Sequence, residues 1–335
     1  MPRSGLTLPV VRRAHLKPYA DFLHKIGAPV DRYLQRAKLP IRHEPAAEYV
    51  SNRGYFEFVG IAAREQGIPD FGFRACMRFG RTRLSPEVVR RIERSPTLYS
   101  ALKGFCADIH QDASHVRMGL IDEPDRALFW HRSTPEAGPV GWEISEQLVA
   151  CLVIDIVRHF AGPRWYPAAI GCRATVVPKE CREHLPKTKL VGGGHGLSIP
   201  VPRSLLHLPP WLQPAVRVDT PGQLHYPRDF PTALREVLKG YLSGGSADLS
   251  LAADIVGTSP RTLQRRLKEA GTSFSRVLER ARYETAASLL ADPRVRTTDV
   301  ARASGYSDPS NFARAFRRTA GSTPSEYRDS IAGAK

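Results

Sequence analysis

Two short stretches of this 335-residue chain carry polar side chains of one chemical kind at helical spacing. The first holds Arg261, Gln264, Arg265 and Lys268; the second holds Ser310, Asn311, Arg314, Arg317 and Arg318. An arginine fork fits guanine O6 and N7, and the amide of Gln or Asn matches adenine N6 and N7. Lysine and further arginines suit phosphate oxygens, which position a protein without reading sequence. Arg261, Gln264, Arg265, Ser310, Asn311 and Arg314 are therefore candidates for reading base edges, and Lys268, Arg317 and Arg318 for holding phosphates. A solvated basic face is the ordinary fate of one such run. Two runs built alike point to a shared task.

Such side chains need elements to aim them. Leu263 and Leu267 are four apart, as are Phe312 and Phe316, so each run predicts a helix with one apolar stripe turned inward. The stretches LAADIVGTSPRTLQRRL (251–267) and VARASGYSDPSNFARAF (300–316) are copies of one plan. At an offset of 49, Ala252 meets Ala301, Pro260 meets Pro309 and Arg265 meets Arg314. Gly257 and Gly305 match at 48, and Gly271 and Gly321 at 50. These slips fall at turns, where insertions cost least. Each copy reads helix, glycine turn, helix, with Ser259 before Pro260 and Asp308 before Pro309 as cap and first residue. That is the pattern of a helix-turn-helix, over about 250–270 and 298–319. The second helix of such a unit lies in the major groove. Between the copies, residues 273–291 predict a helix of roughly 27 Å at about 1.5 Å per residue. With its flanking turns it has the size to hold two reading helices one duplex turn, about 34 Å, apart.

The segment from Asp229 to Arg328 resembles the DNA-binding domain of the arabinose-operon regulator family of bacterial transcription factors. GYSDPSNFARAFRRTAGSTPSEYR (305–328) is similar to that family's signature, and TSPRTLQRRLKEAGTSF (258–274) is its first-motif counterpart. Tyr306 and Val256 stand where the family more often has Phe and Leu. The resemblance implies a seven-helix domain acting mostly in activation, with RNA polymerase as a further partner. It also places Arg261, Gln264, Arg265, Ser310, Asn311 and Arg314 where family members commonly touch bases.

Ahead of this segment, eight prolines between Pro200 and Pro231 mark irregular chain, and a domain boundary is expected near Tyr226–Arg228. The expected fold is an α+β N-terminal effector domain (1–225) joined to an all-α C-terminal domain (226–335) with two helix-turn-helix motifs. Residues 143–160 predict a buried helix; 168–177 and 197–201 predict strands. HKIGAPVDRYLQRAKLP (24–40), with that helix and the later mixed tract, resembles the arabinose-binding-like effector domain of ornithine-utilisation and related regulators. This implies an unknown small-molecule effector and a homodimer. Phe56, Phe58, Phe71, Phe73, Phe79, Trp130, Trp142, Trp165 and Tyr166 are available to line an apolar pocket, though such residues more often fill plain core.

Composition narrows the classes. Lys and Arg number 49 against 33 Asp and Glu, a net charge of +16, which favours a polyanionic partner. Residues 246–335 hold 15 basic and 10 acidic side chains, so the excess is spread and position must carry the argument. Five cysteines without a CxxC pair exclude a disulfide scaffold and suit a reduced, cytoplasmic protein. The longest apolar run, 148–157, is too short to span a membrane and contains Asp155. Gly192–Gly196 lacks the Lys-Ser/Thr of a phosphate loop, and no GxSxG elbow is present. His110 and His115, five apart, fall on different helix faces, so no metal or other cofactor is expected. Cys76 and Cys106 are the candidates for a thiol sensor, with buried small hydrophobes as the default. Two rivals remain. One is a ligand-independent architectural DNA-binding protein; the other is an enzyme with a DNA-targeting module, which needs a reactive cysteine setting that none of the five has.

Overall fold

The computed structural model describes residues 8–41, 47–77, 84–114, 116–132, 138–211, 227, 229–243, 245 and 247–332. Most of the expected boundary, Phe79 and His115 lie outside these residues. The chain forms two units: one from Val11–Ala37 and Asn52–His225, the other from Met1–Val10, Lys38–Ser51 and Tyr226–Lys335.

The first unit is α+β. Strand β1 (Val10–Arg12) leads to α1 (Lys17–Lys25) and α2 (Val30–Arg36). After β2 (Tyr49–Ser51), which with Val10 is counted in the second unit, come α3 (Asn52–Gln66), α4 (Phe71–Cys76), α5 (Pro86–Glu93) and α6 (Leu98–Asp108). Strands β3 (Arg117–Asp122) and β4 (Arg126–Arg132) precede α7 (Gly138–Ala161). Then follow β5 (Ala169–Gly171), α8 (Lys179–His184), β6 (Lys189–Val191), β7 (Leu197–Pro202) and α9 (Arg203–Leu206).

One sheet runs in the order β3-β4-β7-β5-β6 and is antiparallel except at β5/β6. Alternation sets its faces: Ala127, Phe129 and His131 of β4 are buried, as are Leu197, Ile199 and Val201 of β7. The register Phe129↔Ile199 aligns those two inward rows. Strand β5 meets β7 only at Gly171↔Ser198, ahead of Pro200 and Pro202, which have no N–H to extend a ladder. Helix α7 is apolar on nearly every face and packs against α3, α4 and α6. Among the described residues no helix is long and apolar enough to cross a membrane. The strand expected over 168–177 stops at Gly171. Beyond it, the Arg173 N–H donates to Glu146 Oε2 at 2.9 Å, and the Cys172 and Ala174 carbonyls accept from Gly194 and Gly193. The backbone groups a ladder would need are taken.

The second unit is helical in its C-terminal part: α10 (Phe230–Leu238), α11 (Leu249–Val256), α12 (Pro260–Glu269), α13 (Phe274–Leu290), α14 (Thr297–Ala303), α15 (Pro309–Ala320) and α16 (Pro324–Ala332). Helix α16 runs for nine residues. A capping box starts it: Thr323 Oγ1 accepts from the Glu326 N–H, and Glu326 Oε2 accepts from the Thr323 N–H at 2.7 Å.

Candidate nucleic-acid interface

Helix starts and stops place the exposed basic faces. Asp248 caps α11 by accepting from the Leu251 N–H at 2.7 Å. Gly257, at φ +74°, ends it in the left-handed region, where a side chain would be strained. Two residues later Ser259 caps α12, accepting from the Thr262 N–H at 3.2 Å, with Pro260 as the first helical residue. In the second copy Gly305, at φ +81°, follows α14, and Asp308 caps α15 by accepting from the Ser310 N–H at 2.7 Å. The expected caps therefore form in both copies.

Burial then sorts each helix face. Leu263 and Leu267 of α12 are buried, and so are Phe312 and Phe316 of α15. Arg261, Gln264, Arg265 and Lys268 are exposed on α12, and Ser310, Asn311, Arg314, Arg317 and Arg318 are exposed on α15. All nine candidates thus stand in solvent on helices whose opposite stripe is anchored.

Two separate cores do the anchoring. The first joins Leu263 and Leu267 to Ala252, Ile255, Phe230, Leu234 and Leu238, and to Val277 and Ala281 of α13. The second joins Phe312 and Phe316 to Val300, Ala301, and Ala286 and Leu290 of α13. Helix α13 therefore serves both, with Phe274, Val277, Leu278 and Ala281 toward one core and Tyr283, Ala286, Leu289 and Leu290 toward the other. At about 100° per residue these two stripes are roughly 140° apart around the helix. Its 17 residues span about 25 Å at 1.5 Å per residue.

Several contacts here go beyond the paired helices. Arg314 Nη2 donates to Asn311 Oδ1 at 2.6 Å, so two of the candidate base readers hold each other. Arg318 Nη2 lies 2.9 Å from Glu279 Oε1 on α13, and Arg265 lies 3.7 Å from Glu269. The extra turn residue of the second copy, Tyr306, is half-buried, 5.7 Å from the Phe312 ring and beneath the Arg282 guanidinium. Leu8, Val10 and Tyr49, far ahead in the chain, join the first core. Lys38, at φ +53°, sets its ammonium 2.8 Å from Asp254 of α11, and its carbonyl accepts from the Tyr241 hydroxyl. The i,i+3 spacing of Asn311 and Arg314 is readable in a helix; pairings across such sequence distances are not.

The other candidate chemistries resolve as packing. Cys76 is fully buried, and burial pushes the Cys106 thiol up to about 12, which leaves it without thiolate character. Phe56, Phe58 and Phe71 are core. Trp142 stacks on the Arg173 guanidinium at 4.3 Å. Among the described residues no group of three or more His, Cys, Asp or Glu gathers as metal ligands.

Residues 252–330 match the family model described as a helix-turn-helix domain. Over 337 aligned residues the chain is 27% identical to the HTH-type transcriptional regulator VirS of Mycobacterium tuberculosis, covering 95% of this chain and 96% of that protein. The Ornithine utilization regulator of Pseudomonas aeruginosa is 38% identical over 86 residues, 26% of this chain and 25% of that one. Among solved structures, the transcriptional regulator CdpR from Pseudomonas aeruginosa is similar at 17% identity with a TM-score of 0.43, over 94% of this chain and 98% of that one.

Proposed function

We propose that this chain, a DNA-binding transcriptional regulator of the arabinose-operon-regulator type and not an enzyme, reads a double-stranded operator with both helix-turn-helix copies and answers to a small-molecule effector. Arg261, Gln264 and Arg265 on α12, and Ser310, Asn311 and Arg314 on α15, are the base readers. Lys268, Arg317 and Arg318 hold phosphates. The observation that carries this is the exposure of all nine on capped helices, each fixed by a buried pair four residues apart. Rigid elements with satisfied ends cost little to order on binding, so their side chains meet base edges already aimed.

In this reading residues 1–225 supply the effector site and the contacts of a homodimer, and 226–335 bind DNA. The effector acts by linkage, shifting operator affinity by its own differential affinity for the two states. Activation through RNA polymerase and a cytoplasmic, nucleoid-associated location follow from the resemblance. Selection of bound sequences from random DNA, followed by footprinting, tests the reading. Two protected major-groove segments about one helical turn apart are expected for one chain. Protection of a single groove segment would overturn the two-helix assignment.

A further inference from the structure

We infer that the solvent-open pocket beside α7, about 440 Å³ with its mouth included, takes an organic cation, a small amine or ammonium compound with an apolar body, and that Glu143 is its counter-ion. This deepens the reading of the N-terminal unit as an effector sensor and rests on it.

One face of α7 forms the polar side of this cavity: Glu143, Glu146, Gln147 and Ala150 recur at i, i+3, i+4 and i+7. Opposite them the wall is apolar, with Ile170 and Leu197 contributed by the sheet. The polar groups can be accounted for one by one. The Gln147 amide is committed: its Oε1 accepts from the Gly72 N–H at 2.8 Å, and its Nε2 donates to the Pro69 carbonyl at 2.8 Å. Glu146 is committed too, since it accepts from the Arg173 N–H at 2.9 Å and lies 4.0 Å from the Arg173 guanidinium. Arg173 is itself held over Trp142 and donates to the His195 carbonyl at 3.2 Å. The lining thiols, Cys172 and Cys181, are pushed by burial up to about 11 and about 12, so they are neutral. Glu143 is left over. Among the described residues it has no hydrogen-bond or ion-pair partner, and burial raises it above the usual carboxylate range.

Charge then decides among ligand classes. In a chain of net charge +16, this lining contains, among the described residues, two carboxylates and no Lys, Arg or His. An anionic ligand would add repulsion to a carboxylate already short of water. A neutral apolar ligand would bury Glu143 further without pairing it. A cation pairs the carboxylate while its apolar body covers the opposite wall.

Calorimetry and thermal shift on the full chain test this with matched probes: hexylamine and phenethylamine, hexanoate and phenylpropionate, and hexanol. The amines are expected to bind and raise Tm, the carboxylates are not, and Glu143→Gln should weaken amine binding at least about tenfold. Glu143→Lys provides an independent arm, because it should transfer the preference to the carboxylates. Carboxylates binding the unaltered chain as well as amines, or amine binding untouched by Glu143→Gln, would overturn the cation assignment. If hexanoate or hexanol binds best and shifts operator affinity, the sensor reading survives while the cation assignment falls. If no probe moves either Tm or operator affinity, both fall.

Discussion

In the first helix-turn-helix copy, Leu263 and Leu267 enter a core that also receives α10, the front half of α13 and residues from the first fifty positions of the chain. In the second, Phe312 and Phe316 belong to a core that has six buried members among the described residues, closed by the back half of α13, α14 and the half-buried rings of Tyr283, Tyr306 and Tyr327. The second copy compensates for its smaller neighbourhood with rings in chain contact: Tyr306 to Phe312 at 5.7 Å, Phe312 to Phe316 at 5.7 Å, and Phe316 to both Tyr283 and Tyr327 at 5.3 Å. One helix plan is thus held by many aliphatic contacts in one place and by a few large aromatic ones in the other. Large rings bury more area per residue and add their own edge and offset contacts. A small core built from them has fewer neighbours able to fill a gap.

The largest expected effect follows from that difference. Phe316→Ala removes a ring that touches three others and should cost about 3–5 kcal/mol. Hydrogen exchange should show α14, α15 and α16 losing protection while α10, α11 and α12 keep theirs. Equal loss across both copies would mean that the cores are one cooperative unit. Leu263→Ala comes next, in the lower part of the ~2–5 kcal/mol range for buried leucine, because a larger core can partly close the gap. Urea denaturation of the two variants compares the costs directly, and a larger loss for Leu263→Ala would reverse the contrast.

Much of this domain was legible in the residues. The repeat fixes the paired helices, and the Ser259-Pro260 and Asp308-Pro309 steps fix their starts, because cap chemistry is local. The inward pairs follow from spacing alone. The contribution of Leu8, Val10 and Tyr49 to the first core did not show, nor did the grip of Lys38 on Asp254. Apolar residues near a chain start carry no mark of the partner they will find. The N-terminal unit was less legible for a related reason. Its strand at 168–177 was cut short by a side chain, Glu146, that sits on a helix read as plain core.

Binding should separate the copies less than stability does. Arg314→Ala should cost about 1–3 kcal/mol on a selected operator and relax base choice at one position. Arg265→Ala, its counterpart in the repeat, should do the same at a position about one helical turn away. Titration against single-base operator variants reads both. A uniform loss across all variants would make either arginine a phosphate contact.

Acid should strain the first copy through one carboxylate of α13. Burial works to raise Glu284 of α13, but Lys239, then Arg235 and Arg280, lie close enough to hold it below the ordinary value of 4.5. Its carboxylate is 3.0 Å from Lys239 and 3.1 Å from Arg235, so it ties α13 to α10 and the turn after it. A carboxylate lowered by folding contributes stability that is complete above its unfolded value and is lost as pH falls through the folded one. The first copy should therefore weaken as pH drops below about 4.5. Glu284→Gln should remove that dependence and cost roughly 1 kcal/mol at neutral pH. Denaturation midpoints measured from pH 3 to 7 check both, and an unchanged pH slope in the variant would place the acid sensitivity elsewhere.

The smallest effect concerns the two acidic neighbours of the basic faces. Glu279 of α13 holds Arg318 of α15 at 2.9 Å, across two elements, whereas Glu269 holds Arg265 at 3.7 Å within one helix. Both pairs are exposed, and such pairs are worth about 0–1 kcal/mol. If Arg318 moves onto a phosphate in the complex, its pairing with Glu279 must open first, and Glu279→Ala removes that cost along with a charge that repels DNA. Operator affinity should rise by no more than about fivefold, within the ~1 kcal/mol available. The gain should vanish in an Arg318→Ala background, because a pairwise effect needs both partners. Glu269→Ala should gain less, since its pair is longer. A gain from Glu279→Ala that persists without Arg318 would show Glu279 acting only through its long-range field, and the cross-element pair would then have no part in setting operator affinity.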